Sequence, residues 1–129
     1  MRVFIIESSY PEDFYKQKLD GIGAQGTLNI LGVTNEFRFV LDRQHFERAI
    51  ADARGLNCGL IHLSCHGDED GIALADNHQP AWDEFADFFQ RNNWCPNALV
   101  MSSCCGATSG IRKSLREKAK KTGNHFRIV

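Results

Sequence analysis

Two short apolar runs, each stopped by a reactive side chain and a glycine, constrain this chain most. The first is Gly-Leu-Ile-His-Leu-Ser-Cys-His-Gly from Gly59 to Gly67. The second is Ala-Leu-Val-Met-Ser-Ser-Cys-Cys-Gly from Ala98 to Gly106. Continuous apolar runs of this length, closed by turn residues, read as buried strands of a parallel sheet. In open α/β sheets the functional edge lies outside the carboxyl ends of the strands. Neighbouring strands of this kind would bring His66 together with Cys104 or Cys105 at that edge, as a thiol nucleophile and its base require.

The rest of the chain supplies the crossovers such a sheet needs. Val3 to Ser8 reads as a first, central strand. Ser9-x-x-Glu12 with Pro11 predicts a capped short helix to about Leu19. Gly21, Gly23 and Gly26 spell G-x-G-x-x-G, but a dozen polar residues separate them from the first strand. The dinucleotide reading is therefore rejected in favour of a permissive turn. Asp20 as cap and Gly32 as stop predict a helix between them, with Ala24, Leu28 and Leu31 on one face. Phe37 to Leu41 is the second strand. Asp42 caps a helix with Phe46, Ala49, Ile50 and Ala53 on one face, ended by Gly55. Leu60 to Cys65 is the third strand, followed by the acidic turn Asp68 to Gly71 and a small ribbon at Ile72 to Ala75. Pro80 opens a helix through Arg91, with Trp82, Phe85, Phe88 and Phe89 as a packing stripe. Leu99 to Ser103 is the fourth strand. Thr108 or Ser109 caps a last helix, with Ile111, Leu115 and Ala119 inward and a basic, solvated opposite face. Phe126 to Val129 reads as the opening of a fifth strand, so the domain is expected to be incomplete at its C-terminus. The expected architecture is a single α/β domain over 1–129, a three-layer αβα sandwich with a mainly parallel sheet, strand order 2-1-3-4 and then 5.

Composition narrows the function classes. With 129 residues the chain makes one domain. A net charge of −1 gives no general attraction to nucleic acid or membrane. No apolar run approaches the ~20 residues of a membrane span. Five cysteines, an odd number without a secretion signal, point to reduced thiols and a cytoplasmic location. No Cys-x-x-Cys occurs, and the adjacent Cys104 and Cys105 suit tetrahedral zinc poorly, so no metal or cofactor is expected. His62 and His66 share a strand face but stand ~13 Å apart, too far for one metal ion. His45, His78 and His125 read as surface residues.

The chemistry converges on the two runs. Cys104 would stand where a strand turns into a helix, whose N-terminus favours a thiolate. Gly106 would keep the sulfur approachable. His66 would take the thiol proton and return it to a leaving amine. Backbone N–H groups of Gly67 and Cys104 would bind an oxyanion. Asp68, with Glu69 and Asp70, could orient His66 or meet a basic substrate residue, although a solvated acidic turn explains them as well.

Leu-Ser-Cys-His66-Gly67, an acidic turn, and Val-Met-Ser-Ser-Cys104-Cys105-Gly106-Ala107 resemble the caspase-like cysteine peptidases. Asp68-Glu-Asp-Gly71 and Trp82 with the helix after it resemble the bacterial CHAT domains in particular. The resemblance implies a cysteine endopeptidase acting through a Cys104–His66 dyad and a thioester acyl-enzyme, with Gly67 as oxyanion donor and no cofactor. It further implies a peptide or protein substrate and a regulatory partner or further C-terminal region. Cys105 offers a second thiol beside Cys104. Arg2, Arg38, Arg43 and Arg112 are available for an acidic substrate residue, but nothing in the sequence aims them. Two other readings stand beside this one. One is an inactive caspase-like interaction module. The other is a flavodoxin-shaped thiol-redox protein using the vicinal pair, whose disulfide would be strained.

Overall fold

The structure is a computed structural model that describes residues 1–103 and 109–122. Strand β1 (Val3–Ser8) is buried at every residue and takes the centre of the sheet, with β2 (Asn35–Phe39) on one side and β3 (Leu60–Gly67) on the other. Strand β5 (Ala98–Ser102) pairs with β3. All three pairings are parallel, and the order β2-β1-β3-β5 matches the expected 2-1-3-4. The exception to the parallel sheet is β4 (Ile72–Ala73), antiparallel to the end of β3.

Burial explains the unusual apolarity of β1. Phe4 and Ile6 face a core built with Phe46 and Ile50 of α3 (Arg43–Gly55) and Phe85 and Phe88 of α4 (Trp82–Arg91). Ile111 and Leu115 of α5 (Ser109–Thr122) close the same layer against α4. Val3, Ile5 and Glu7 face the opposite way, toward α2 (Asp20–Ile30). Helices therefore cover both faces of the sheet, giving the three-layer αβα arrangement.

Several expected boundaries move. Helix α1 (Pro11–Tyr15) is capped by Tyr10 and closed by Asp13 reaching back to the Tyr10 N–H. Ser9 turns inward instead and donates to Glu7. The helix stops at Tyr15, not Leu19, because Gln17 adopts a positive φ of 56°. Strand β2 begins and ends two residues earlier than Phe37–Leu41, in phase with its β1 partners. Helix α4 begins at Trp82, with Ala81 rather than Pro80 leading in. The α3 cap is as expected, the Asp42 carboxylate accepting from His45 N–H.

The G-x-G-x-x-G segment is not a turn. All three glycines lie within α2, whose N-terminal N–H at Gly21 donates to the buried Glu7 carboxylate at 2.6 Å. A Cβ on Gly21 would collide with Glu7 Oε2 and crowd Phe37 and Ile5, whereas Gly23 and Gly26 face open space. Gly21 thus answers a close approach between helix and strand. The fifth strand expected at Phe126–Val129, the cap at Thr108 and the inward position of Ala119 lie outside the described residues and side chains.

Candidate functional site

His66 and Gly67 belong to β3, which runs two residues past the expected end at Cys65 because β4 folds back on it. His66 pairs with Ala73 and Gly67 with Ile72. Asp68 N–H donates to the Gly71 carbonyl, closing the ribbon.

Backbone phase then fixes where Gly67 points. Val3 N–H donates to Thr34, so odd residues of β1 serve β2 and even ones serve β3. Through the Ile6↔Leu63 and Ser8↔Cys65 pairing, even residues of β3 face β1 and odd residues face the β5 flank. Ala98 N–H donating to Gly59 has the same phase. Gly67, an odd residue, turns its N–H toward the β5 side of the sheet, away from β4.

The His66 ring rises on the α1 side of the sheet. Its Nε2 lies 2.6 Å from Asp13 Oδ2. The Tyr10 ring stacks on it, with centroids 4.4 Å apart and planes within 8°. Asp13 is held by its reach to Tyr10 N–H, so one cap geometry positions both neighbours of the imidazole. The hydrogen bond to His66, followed by the charge of the ring and the Tyr10 N–H, holds the Asp13 carboxyl below its usual value against the opposing effect of burial. An ionised Asp13 accepting the Nε2–H leaves Nδ1 as the acceptor nitrogen of the neutral ring.

Asp13 and Tyr10 are the residues that reading the sequence missed. They follow the first strand, whose last residue Ser8 pairs with Cys65, directly before His66. An acid just beyond the carboxyl end of a strand adjacent to the histidine strand was the available signal. Asp68 builds the acidic turn that the sequence also offered for it, rather than orienting His66. Its Oδ1 accepts from Asp70 and Gly71 N–H, stabilising its own turn. A cavity of about 220 Å³ opens beside His66, its lining including Tyr10, Gly67, Asp68, Ile72 and Gln79.

Beneath the site lies Glu7, fully buried, accepting from Ser9, Ser64 and Gly21. These bonds tie the β1–α1 turn, β3 and the start of α2 together under the imidazole. Ser102 at the end of β5 donates to Asp20 at 3.1 Å, tying that strand to α2 as well. His62, two residues before Ser64, carries a buried Nε2 without a hydrogen-bond partner among the described residues, and burial lowers its pKa.

The thiols divide. Burial pushes the Cys65 pKa up to about 12 and raises those of Cys58 and Cys95. These three are therefore poor nucleophiles. Cys104 and Cys105 lie outside the described residues. No cluster of His, Cys, Asp and Glu suited to a metal ion occurs among the described residues, and no helix among them is long and apolar enough to cross a membrane. His45 and His78 lie at the surface, paired with Asp42 and Glu84.

No family model matches the chain, and no curated protein matches it significantly.

Proposed function

We propose that the chain is a caspase-like cysteine endopeptidase of CHAT type, with Cys104 as nucleophile, His66 as base and Asp13 orienting the imidazole. The observation that carries this reading is the 2.6 Å Asp13–His66 contact at the carboxyl edge of a parallel sheet. A strand-end histidine with an ionised carboxylate on one nitrogen is the arrangement that activates a nucleophile on the other. Sequence spacing supports Cys104 as the partner. The parallel register ends at Ser64↔Ser102, and Cys104 follows Ser102 in the chain as closely as His66 follows Ser64.

In the proposed reaction His66 Nδ1 takes the Cys104 proton and the sulfur attacks the scissile carbonyl carbon. The N–H of Gly67, turned to the β5 flank, donates to the developing oxyanion. Collapse breaks the C–N bond, and the imidazolium returns its proton to the leaving amine. Water, deprotonated by His66, then hydrolyses the thioester and frees the thiol. Cys105 is the alternative sulfur. The substrate is a peptide or protein, the setting cytoplasmic, and a regulatory partner completes the system.

Alkylation by iodoacetamide near pH ~6.5, read thiol by thiol by mass spectrometry, tests the reading. Cys104 should label far faster than Cys58, Cys65 and Cys95, and His66→Ala should abolish that preference. Equal labelling of all thiols, or a preference that survives His66→Ala, would sink the peptidase reading. The inactive interaction module would then stand in its place. Cleavage of a peptide library by wild type but not Cys104→Ala rules that module out.

A further inference from the structure

We infer that β2 is a self-pairing edge, through which two copies of this chain join antiparallel about Phe37 into a continuous sheet. Among the described residues, β2 pairs only with β1. Its backbone phase leaves the other side open. Val3 N–H donates to Thr34 and Val40 N–H donates to Glu7, so the even residues of β2 serve β1. The N–H and C=O groups of Asn35, Phe37 and Phe39 turn to the outer edge.

The sequence of this edge, Asn35-Glu36-Phe37-Arg38-Phe39, is charge-complementary to itself in one register. With the two-fold axis at Phe37, the outward residues fall on one another: Phe37 on Phe37 of the second copy, and Asn35 on Phe39. Both are hydrogen-bonded pairs, giving roughly six backbone bonds. The remaining positions are the close, non-hydrogen-bonded pairs, which set Glu36 opposite Arg38 twice. An isologous contact of this kind closes on itself and adds no further copies.

The side chains agree with the backbone. Glu36 and Arg38 are exposed by 40% and 44% and already attract one another at 3.4 Å, so the seam would join four alternating charges. Phe39 and Leu41 expose 47% and 50% of their surface along the same edge. A cavity of about 380 Å³ beside them, flanked by Arg48 and Asp52, leaves that margin unfilled in the single chain. Arg38 Nη1 donates to the outward Phe37 carbonyl at 2.8 Å and to no second strand. Pairing exchanges that bond for the Phe37 N–H of the second copy and releases the guanidinium to Glu36 across the seam. The edge carries no proline to block association.

Sedimentation velocity over a concentration series tests the inference. Wild type should shift from monomer to dimer. Glu36→Arg sets Arg against Arg, and Arg38→Glu sets Glu against Glu, so each alone should weaken the dimer at least about tenfold. The double variant E36R/R38E should restore it, and mixing the two single variants should give a heterodimer. Hydrogen exchange on wild type needs no mutation: Phe37 and Phe39 amides should gain protection with concentration, while Arg38 stays protected throughout. A wild type that remains monomeric, a dimer that survives both single reversals, or single variants that the mixture and the double change fail to rescue would each overturn it. So would Phe37 and Phe39 amides that exchange independently of concentration.

Discussion

At His66, one strand and two side chains act on one ring: β3 fixes its height, Asp13 holds Nε2, and Tyr10 limits its tilt. Replacing Asp13 by Asn removes the ionised acceptor while keeping the shape. Cys104 alkylation in Asp13→Asn should therefore fall by about tenfold or more, with the circular dichroism spectrum unchanged. The same carboxyl contributes to stability with a definite sign. Its pKa is depressed in the folded chain, so its contribution is complete above the unfolded value of about 3.9. It is lost as pH falls through the depressed value, and Asp13→Asn should flatten the acid limb of a urea-unfolding series in that range. His62 acts in a different window. Burial depresses its folded pKa, so the unfolded chain binds the extra proton first, and stability should fall as pH drops below about 6.5. In His62→Leu that slope should vanish, and the buried Nε2, which has no partner among the described residues, would no longer weigh on the fold.

At the scale of elements, α2 and α4 are stabilised by different means. Helix α4 is a strongly amphipathic segment, and Trp82, Phe85, Phe88 and Phe89 are all buried against α3 and the sheet. Phe85 packs on Phe46, Trp82 and Phe89, so Phe85→Ala should cost about 3–5 kcal/mol in chemical denaturation. Helix α2 buries only Gly21 and leaves Ile22, Ile30 and Leu31 exposed. Its place is fixed by the Glu7 carboxylate on its N-terminal N–H, where the helix dipole favours an anion. The glycines of α2 are therefore not equivalent. Gly21→Ala should destabilise by driving a methyl into Glu7, whereas Gly23→Ala, facing open space, should stabilise by up to about 1 kcal/mol through helix propensity. An alanine at 21 that matched one at 23 in thermal unfolding would refute the close approach. Reading the residues foresaw α3, where period and cap agreed, and α4, where the aromatic period alone sufficed. It also foresaw a helix after Asp20, but not the role of Gly21, because the Glu7 that approaches it lies on β1, 14 residues away.

Across the whole molecule, the thiols report how much of the fold must open to expose them. Cys58 and Cys65 are buried in the single core that links the sheet to α3, α4 and α5. Both should label only through global unfolding, with the same dependence on urea, whereas the half-buried Cys95 should label through local opening at lower urea. Labelling of Cys65 ahead of Cys95 would contradict the burial that raises its pKa.

The fold class and the place of His66 at the carboxyl edge followed from local pattern, and the strand order from the resemblance to a known fold. Apolar runs bounded by glycine define buried strands, parallel neighbours need crossovers, and the crossovers were visible as capped, periodic segments. The carboxylate on His66 did not follow. Asp13 lies 53 residues from its partner, and only the register of β1 against β3 brings the α1 cap over the imidazole. The Glu7 network and the outward phase of β2 have the same origin. A hydrogen-bonding direction belongs to a pair of strands rather than to one, so it exists only once the sheet is assembled.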